Sequence, residues 1–326
     1  LAFTSCESGD NEFPDFDYQT TYFANQYALR TLELGESEFV DNTLDNQHKV
    51  VIKAAWGGGY TNRKNVTIDF KVDNTLCDNL YFKDGGQPLI PMPEAYYTLA
   101  SNQINIPKGQ ITGGVEVQLT DAFFADEKSI GPNYVIPLLM TDAQGVDSIL
   151  QGKPIVENPS LTEANDWSKQ PQNFVLYAVE YVNPWHGEYL RRGVDQATVG
   201  GVTTQKVRHE QYVEKDEAVN ITTQSLKDNL LTLRTKDAGG EYVSYTLRLT
   251  FDDKNDCTLS SASPNVSISG SGKFVTKGEK NSLGGKDRNA IYLDYTANLT
   301  DHNIQLVTKD TLVLRTRNVY GGKAFE

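Results

Sequence analysis

The sequence predicts an all-β chain of two domains, an immunoglobulin-like β-sandwich followed by an antiparallel β-barrel. Three observations carry that expectation. The 326 residues include 17 Tyr and 13 Phe, and together with abundant Thr, Val and Asn they favour strands over helices. Residues 65–72, 242–251 and 290–299 alternate apolar and polar side chains with period two, the mark of a strand with one buried face. One break, residues 151–171, holds Pro154, Pro159 and Pro171 and little apolar periodicity. It leaves two lengths of chain, each large enough to bury a core.

Composition also excludes. With 43 acidic against 30 basic residues the net charge is −13, which argues against a nucleic-acid partner, since phosphate binding needs a basic footprint. It disfavours strongly anionic polysaccharides as well, unless a local basic patch overrides the global field. A mean hydropathy of −0.47 suits a soluble, monomeric globular chain. The three cysteines are too few for a disulfide framework and lack metal-ligand spacing. Cys77 and Cys257 read as isolated, partly buried thiols.

Taken in order, residues 1–17 (LAFTSCESGDNEFPDFD) place small and apolar residues before Cys6 and acidic ones after it. Phe3-Thr4-Ser5-Cys6 resembles a loose lipobox, and Glu7, Asp10 and Glu12 resemble the surface-export signal of Bacteroidetes lipoproteins. The expectation is a signal remnant and tether. Cys6 would then carry diacylglycerol and anchor the chain to the cell surface of an outer membrane without spanning it. Residues 18–150 read as the sandwich: about seven short strands over roughly 125 residues, with turns at Gly57–Gly59 and in a Gly/Pro loop at 85–93. Residues 151–171 read as a proline-stiffened linker onto which Trp167 packs.

Residues 172–326 read as the barrel. Its first strand, bend and second strand are assigned to 174–195 (FVLYAVEYVNPWHGEYLRRGVD). Further strands follow at 202–213, 218–223, 230–235, 242–251, 266–269, 273–276, 290–299 and 304–317. Roughly eight to ten antiparallel strands with short connections suit an up-and-down barrel. The Asp-rich stretch 252–256 (DDKND) lies between two of them and reads as a hairpin turn, lacking the Gly and terminal Glu of a calcium loop.

Catalytic motifs are missing from the sequence: it has no G-x-S-x-G, H-E-x-x-H, P-loop or G-x-G-x-x-G. His48, His186, His209 and His302 are too scattered to suggest a metal. No catalytic residue, metal or cofactor is therefore assigned. Binding chemistry remains. Aromatic platforms stack on sugar rings while amides, acids and arginines bond the hydroxyls. Trp56 beside its glycine turn, and Trp185 with His186, Tyr189 and Arg191, supply those groups. The competing reading makes the same aromatics core or corner packing.

Several segments resemble a known family: DNTLCDNLYF at 73–82, YYTLASNQI at 96–104, GGVEVQLTDAFFAD at 113–126, YVIPLLMT at 134–141, VNPWHGEYLRRGVD at 182–195, LTFDD at 249–253 and KDTLVLR at 309–315. They are similar to the two-domain Bacteroidetes surface lipoproteins of unknown function, whose N-terminal domain also precedes family-18 glycoside hydrolase domains. The acidic signature of that hydrolase is absent here. The resemblance implies a β-rich C-terminal domain and a role in glycan use. The leading expectation is a non-catalytic surface protein that binds or captures a polysaccharide or oligosaccharide. The alternatives are a binder of a small apolar ligand or lipid in the barrel, or a structural or adhesive spacer. Gly187-x-Tyr189 with Trp185 makes the barrel lipocalin-like (calycin-like), with Tyr where lipocalins carry Trp. On that analogy Arg315 or Arg317 covers an aromatic face as a cation–π plug.

Overall fold

The computed structural model describes residues 18–37, 40–82 and 86–319, and the backbone of 323–324. Cys6 and the tether at 1–17 lie outside the described residues.

The first region contains β1 (Thr20–Tyr22), β2 (Tyr27–Glu33), β3 (Lys49–Gly57), β4 (Val66–Val72), β5 (Ile90–Pro91), β6 (Tyr97–Leu99), β7 (Gln103–Ile106), β8 (Thr112–Leu119), β9 (Tyr134–Gln144) and β10 (Ser148–Ile149). The excursion after it carries β11 (Lys153–Pro154) and β12 (Trp167–Lys169), and β13 (Phe174–Val182) follows. One sheet runs β10-β1-β3-β8-β6. The other runs β2-β13-β9-β4-β7, with β5 also on β9 and a short strand at Lys323–Ala324 on β2. Alternation dictates the packing between them. Val50, Ile52 and Trp56 of β3 and Val115, Val117 and Leu119 of β8 meet Ile68, Phe70, Ile136 and Leu138 in one apolar core.

Two assignments change. The sequence places 174–182 in the barrel, yet β13 pairs in parallel with β2 (Leu176↔Tyr27 to Val182↔Glu33) and antiparallel with β9. The reason lies in its pattern. Val175, Val179 and Tyr181 enter the core between the sheets, while Phe174, Leu176 and Ala178 pack with Leu76, Cys77 and Phe82 on the other face. A near-continuous apolar run marks a strand covered on both faces, as in the interior of a sheet. The proline-rich stretch is likewise a folded excursion rather than a spacer. Lys153 pairs with Lys169, and Trp167 Nε1 donates to the Ser160 carbonyl at 2.7 Å.

The second region contains β14 (Gly187–Val199), β15 (Val202–Arg208), β16 (Glu217–Thr223), β17 (Asp228–Lys236), β18 (Tyr242–Phe251), β19 (Asp256–Ser261), β20 (Val266–Glu279), β21 (Arg288–Leu299) and β22 (Ile304–Thr316). From β16 to β22 each strand pairs antiparallel with the next. β22 returns to β14 (Leu190↔Val313) and closes an eight-stranded barrel. β15 is an extra strand that replaces β16 as the neighbour of β14 beyond Gly193. Ile221, Leu231, Leu247, Leu249, Ile291 and Leu312 fill the interior. The Asp252–Asp256 stretch is the expected turn, with Asp252 Oδ1 accepting from the Lys254 and Asp256 backbone N–H groups at 2.8 and 2.9 Å. Cys77 and Cys257 are buried free thiols, each pushed up to about 12 by burial.

Arg317, just after β22, joins the two regions. Its guanidinium donates to the Leu34 carbonyl at 3.0 Å and the Asn183 carbonyl at 2.8 Å. Arg315 instead pairs with Glu188 at 3.0 Å. Neither caps a ring, so the cation–π plug expected from the lipocalin analogy is replaced by a carbonyl latch.

A cleft in the barrel wall as candidate functional site

The aromatic residues singled out in the sequence are structural. Trp56, 4% exposed, sits between the two sheets, and its Nε1 has no acceptor among the described residues. Trp185, 6% exposed, stacks on Phe251 with ring centroids 4.1 Å apart and planes at 8°, and its Nε1 donates to Asn255 Oδ1 at 3.1 Å. Tyr189 is fully buried, and its hydroxyl donates to the Trp185 carbonyl at 2.9 Å. A buried ring cannot stack on a sugar, which removes these three as a platform. His186 Nδ1 accepts from the Thr223 backbone N–H at 3.3 Å; burial, then the charge of Arg317, lowers its pKa to about 4.

Arg191 is different. It is buried inside the barrel, where Nε donates to Asp310 Oδ2 at 3.0 Å, Nη1 to Glu217 Oε2 at 3.1 Å and Nη2 to the Tyr295 hydroxyl at 3.5 Å. Burial opposes its charge, but Asp310 and its other neighbours outweigh that and hold the guanidinium above its ordinary range. Asp310 also accepts from Arg208, which bonds Asp195 as well. Arg208 reaches Asp310 from β15 by crossing β14 at Gly193. A Cβ there would lie 3.0 Å from Asp310 Oδ1 and 2.0 Å from the Lys309 carbonyl, so only glycine leaves the passage open. An ionic belt thus crosses the barrel interior above the Trp185 end.

The belt explains an opening in the wall. At the start of β16, Glu217 is drawn inward by Arg191. The neighbouring Asp216 is held from the other side by Arg192 Nε at 2.6 Å. Both clamps tie β16 to β14. Only Ile221, Thr222 and Thr223 then pair with β17, opposite Leu231, Leu230 and Asn229. The rest of β16 diverges from β17 and leaves a cleft of about 570 Å³. Asn220, Thr222, Thr232 and Arg234 line its outer part, with Glu217, Val219 and Leu233 at its inner end. At its edge Tyr242 is 60% exposed, with the Arg234 guanidinium carbon 4.4 Å and Lys236 Nζ 5.1 Å from the ring centroid. The cleft offers amide, hydroxyl and cationic groups, and beside it an exposed tyrosine whose ring lies under two cations.

Of the site residues expected from the sequence, the structure brings only Arg191 to this cleft, behind Glu217. Sequence reasoning misses Asn220, Arg234 and Tyr242. The available signal is position: the alternation of 242–251 puts Tyr242 on the outward face, where a large aromatic has no core to fill. Among the described residues no group of three His, Cys, Asp or Glu side chains could hold a metal ion.

Residues 184–318 match a family model described as a domain of unknown function, DUF5627, and residues 16–147 match the model of an N-terminal domain. β13 falls between the two. A solved structure of a Bacteroides ovatus protein of unknown function is 77% identical, with 95% of this chain and 99% of that chain covered at a TM-score of 0.93. More remote are an auxiliary nutrient binding protein from Bacteroides thetaiotaomicron (13% identity, 88% and 90% covered, TM-score 0.37) and a candidate carbohydrate binding protein from Bacteroides ovatus (10%, 94% and 98%, TM-score 0.31). No curated protein matches the sequence.

Proposed function

We infer a binding role from a premise the comparisons supply: this chain belongs to the family of two-domain Bacteroides proteins that join such an N-terminal domain to DUF5627. The proposal is a non-catalytic protein that captures glycan at the outer surface of the outer membrane, held there by a lipid on Cys6. The observation that carries it is the cleft between β16 and β17. Its volume falls within the roughly 300–1,000 Å³ of small-ligand sites, and its lining combines what sugar recognition needs. Asn220, Thr222 and Thr232 can exchange hydrogen bonds with hydroxyls, and the exposed Tyr242 beside the cleft can pack on a pyranose with the part of its ring that Arg234 and Lys236 leave open. An apolar ligand is less well served, because the barrel interior is occupied by core side chains and the Arg191–Asp310 belt.

Affinity electrophoresis against a panel of plant and host polysaccharides tests this reading. At least one polymer should retard the protein, and Tyr242→Ala and Asn220→Ala should each relieve that retardation while leaving the melting curve unchanged. No retardation by any polymer sinks it. The apolar-to-acidic switch at Cys6 supports the anchor; Cys6→Ser should move the protein from the membrane to the soluble fraction, and continued membrane retention would refute it.

A further inference from the structure

The basic groups at the edge of the cleft set the class of glycan. Five arginines of the second region are engaged by carboxylates: Arg191 by Asp310 and Glu217, Arg192 by Asp216, Arg208 by Asp195 and Asp310, Arg315 by Glu188 and Arg317 by Glu33. Arg234 is held by a ring instead. Its planar group lies over Tyr242, and no carboxylate among the described residues comes within ion-pair distance of it or of Lys236. A guanidinium over a ring keeps its N–H donors available for other partners. The two cations project together from β17, two residues apart, opposite Ser244 and Tyr242 of β18. The nearby acids are Glu217, Asp237 and the exposed Glu241. Glu217 is bonded to Arg191, and Asp237 Oδ1 accepts from the Gly239 and Glu241 backbone N–H groups. In a chain with 43 acidic and 30 basic residues, Arg234 and Lys236 are two cations beside the cleft that no carboxylate among the described residues engages.

We propose that the cleft binds an anionic glycan, with Arg234 and Lys236, held over Tyr242 at its edge, engaging a carboxylate or sulfate. This deepens the glycan reading and rests on it. Charge-assisted bonds to a planar guanidinium suit carboxylate and sulfate oxygens alike, so the two sources are separated by experiment. Direct bonds to these two cations would then offset the repulsion expected from the global charge.

The test is affinity electrophoresis of the full chain in gels holding polygalacturonate, chondroitin sulfate or neutral dextran and mannan, each at low and high salt. The expected result is retention by an acidic polymer, weakened by salt. Retention should drop by about ten- to a hundredfold in affinity in an Arg234→Ala/Lys236→Ala variant and be partly kept in Arg234→Lys. Retention by polygalacturonate assigns a carboxylate, and retention by chondroitin sulfate that is lost on desulfated chondroitin assigns a sulfate. Preference for a neutral polymer, or acidic binding untouched by the double variant, overturns the charge inference and leaves the glycan reading standing. No retention by any polymer overturns both.

Discussion

The two regions use buried polar chemistry in opposite ways. In the first, the sheets meet through apolar side chains, and the large aromatic Trp56 faces inward. In the second, an ionic belt of Arg191, Asp310, Arg208 and Asp195 crosses the interior, and Tyr242 faces outward. An apolar core lets facing sheets close without directional demands. Charges inside a barrel must be satisfied by particular partners, and here satisfying them draws the start of β16 toward β14 and away from β17. The cleft thus opens where the belt meets β16, at Glu217.

The largest expected effect breaks the belt. Asp310→Ala leaves Arg191 and Arg208 buried without their shared carboxylate, which should cost about 3–5 kcal/mol in urea unfolding. A loss below about 1 kcal/mol would mean the belt is far better solvated than its burial implies. Ile68→Ala in the first region removes only packing, and should cost about 2–4 kcal/mol. If the comparison holds, Asp310→Ala alters binding at the cleft and Ile68→Ala does not.

Next in size is a pH effect at the junction. Folded His186 stays neutral down to about 4, whereas an unfolded imidazole takes up its proton near about 6.5. Between those values the unfolded chain binds the extra proton, so stability falls as pH falls through that window. The loss is at most about 3 kcal/mol by pH 4. Equilibrium unfolding from pH 7 to pH 4 should therefore show a shallower slope in His186→Asn than in the parent. Equal slopes would mean that His186 takes up its proton as readily in the fold as in the unfolded chain. The smallest stability change belongs to Tyr242→Ala, within about 0.5 kcal/mol, despite its large expected effect on binding. A marked drop in melting temperature would recast Tyr242 as a structural residue.

Much of the fold is legible locally. The alternation of 65–72, 242–251 and 290–299 locates strands and their buried faces, and the Asp252–Asp256 turn is where its composition puts it. The strand 174–182 is visible in the sequence but belongs to a different sheet from the one its position suggests. Its apolar run carries no alternation, and the proline-rich stretch before it looks like a boundary. The candidate site is far less legible. Aromatic and basic residues clustered in sequence at 185–192 mark the corner where the barrel begins. Residues 217–220, 232–236 and 242, which border the cleft, are ordinary strand positions whose importance comes from a missing pairing.

By itself, the sequence determined that this chain is built of strands, which face of most strands is buried, and that Trp185, Gly187 and Tyr189 form a corner. Those are local properties, written in a period of two residues. The tertiary structure alone decided that β13 joins β2, that Arg208 passes Gly193 to reach Asp310, and that β16 parts from β17. Each depends on pairing between residues far apart in the chain. Local periodicity says which side of a strand is apolar, but not which strand lies beside it.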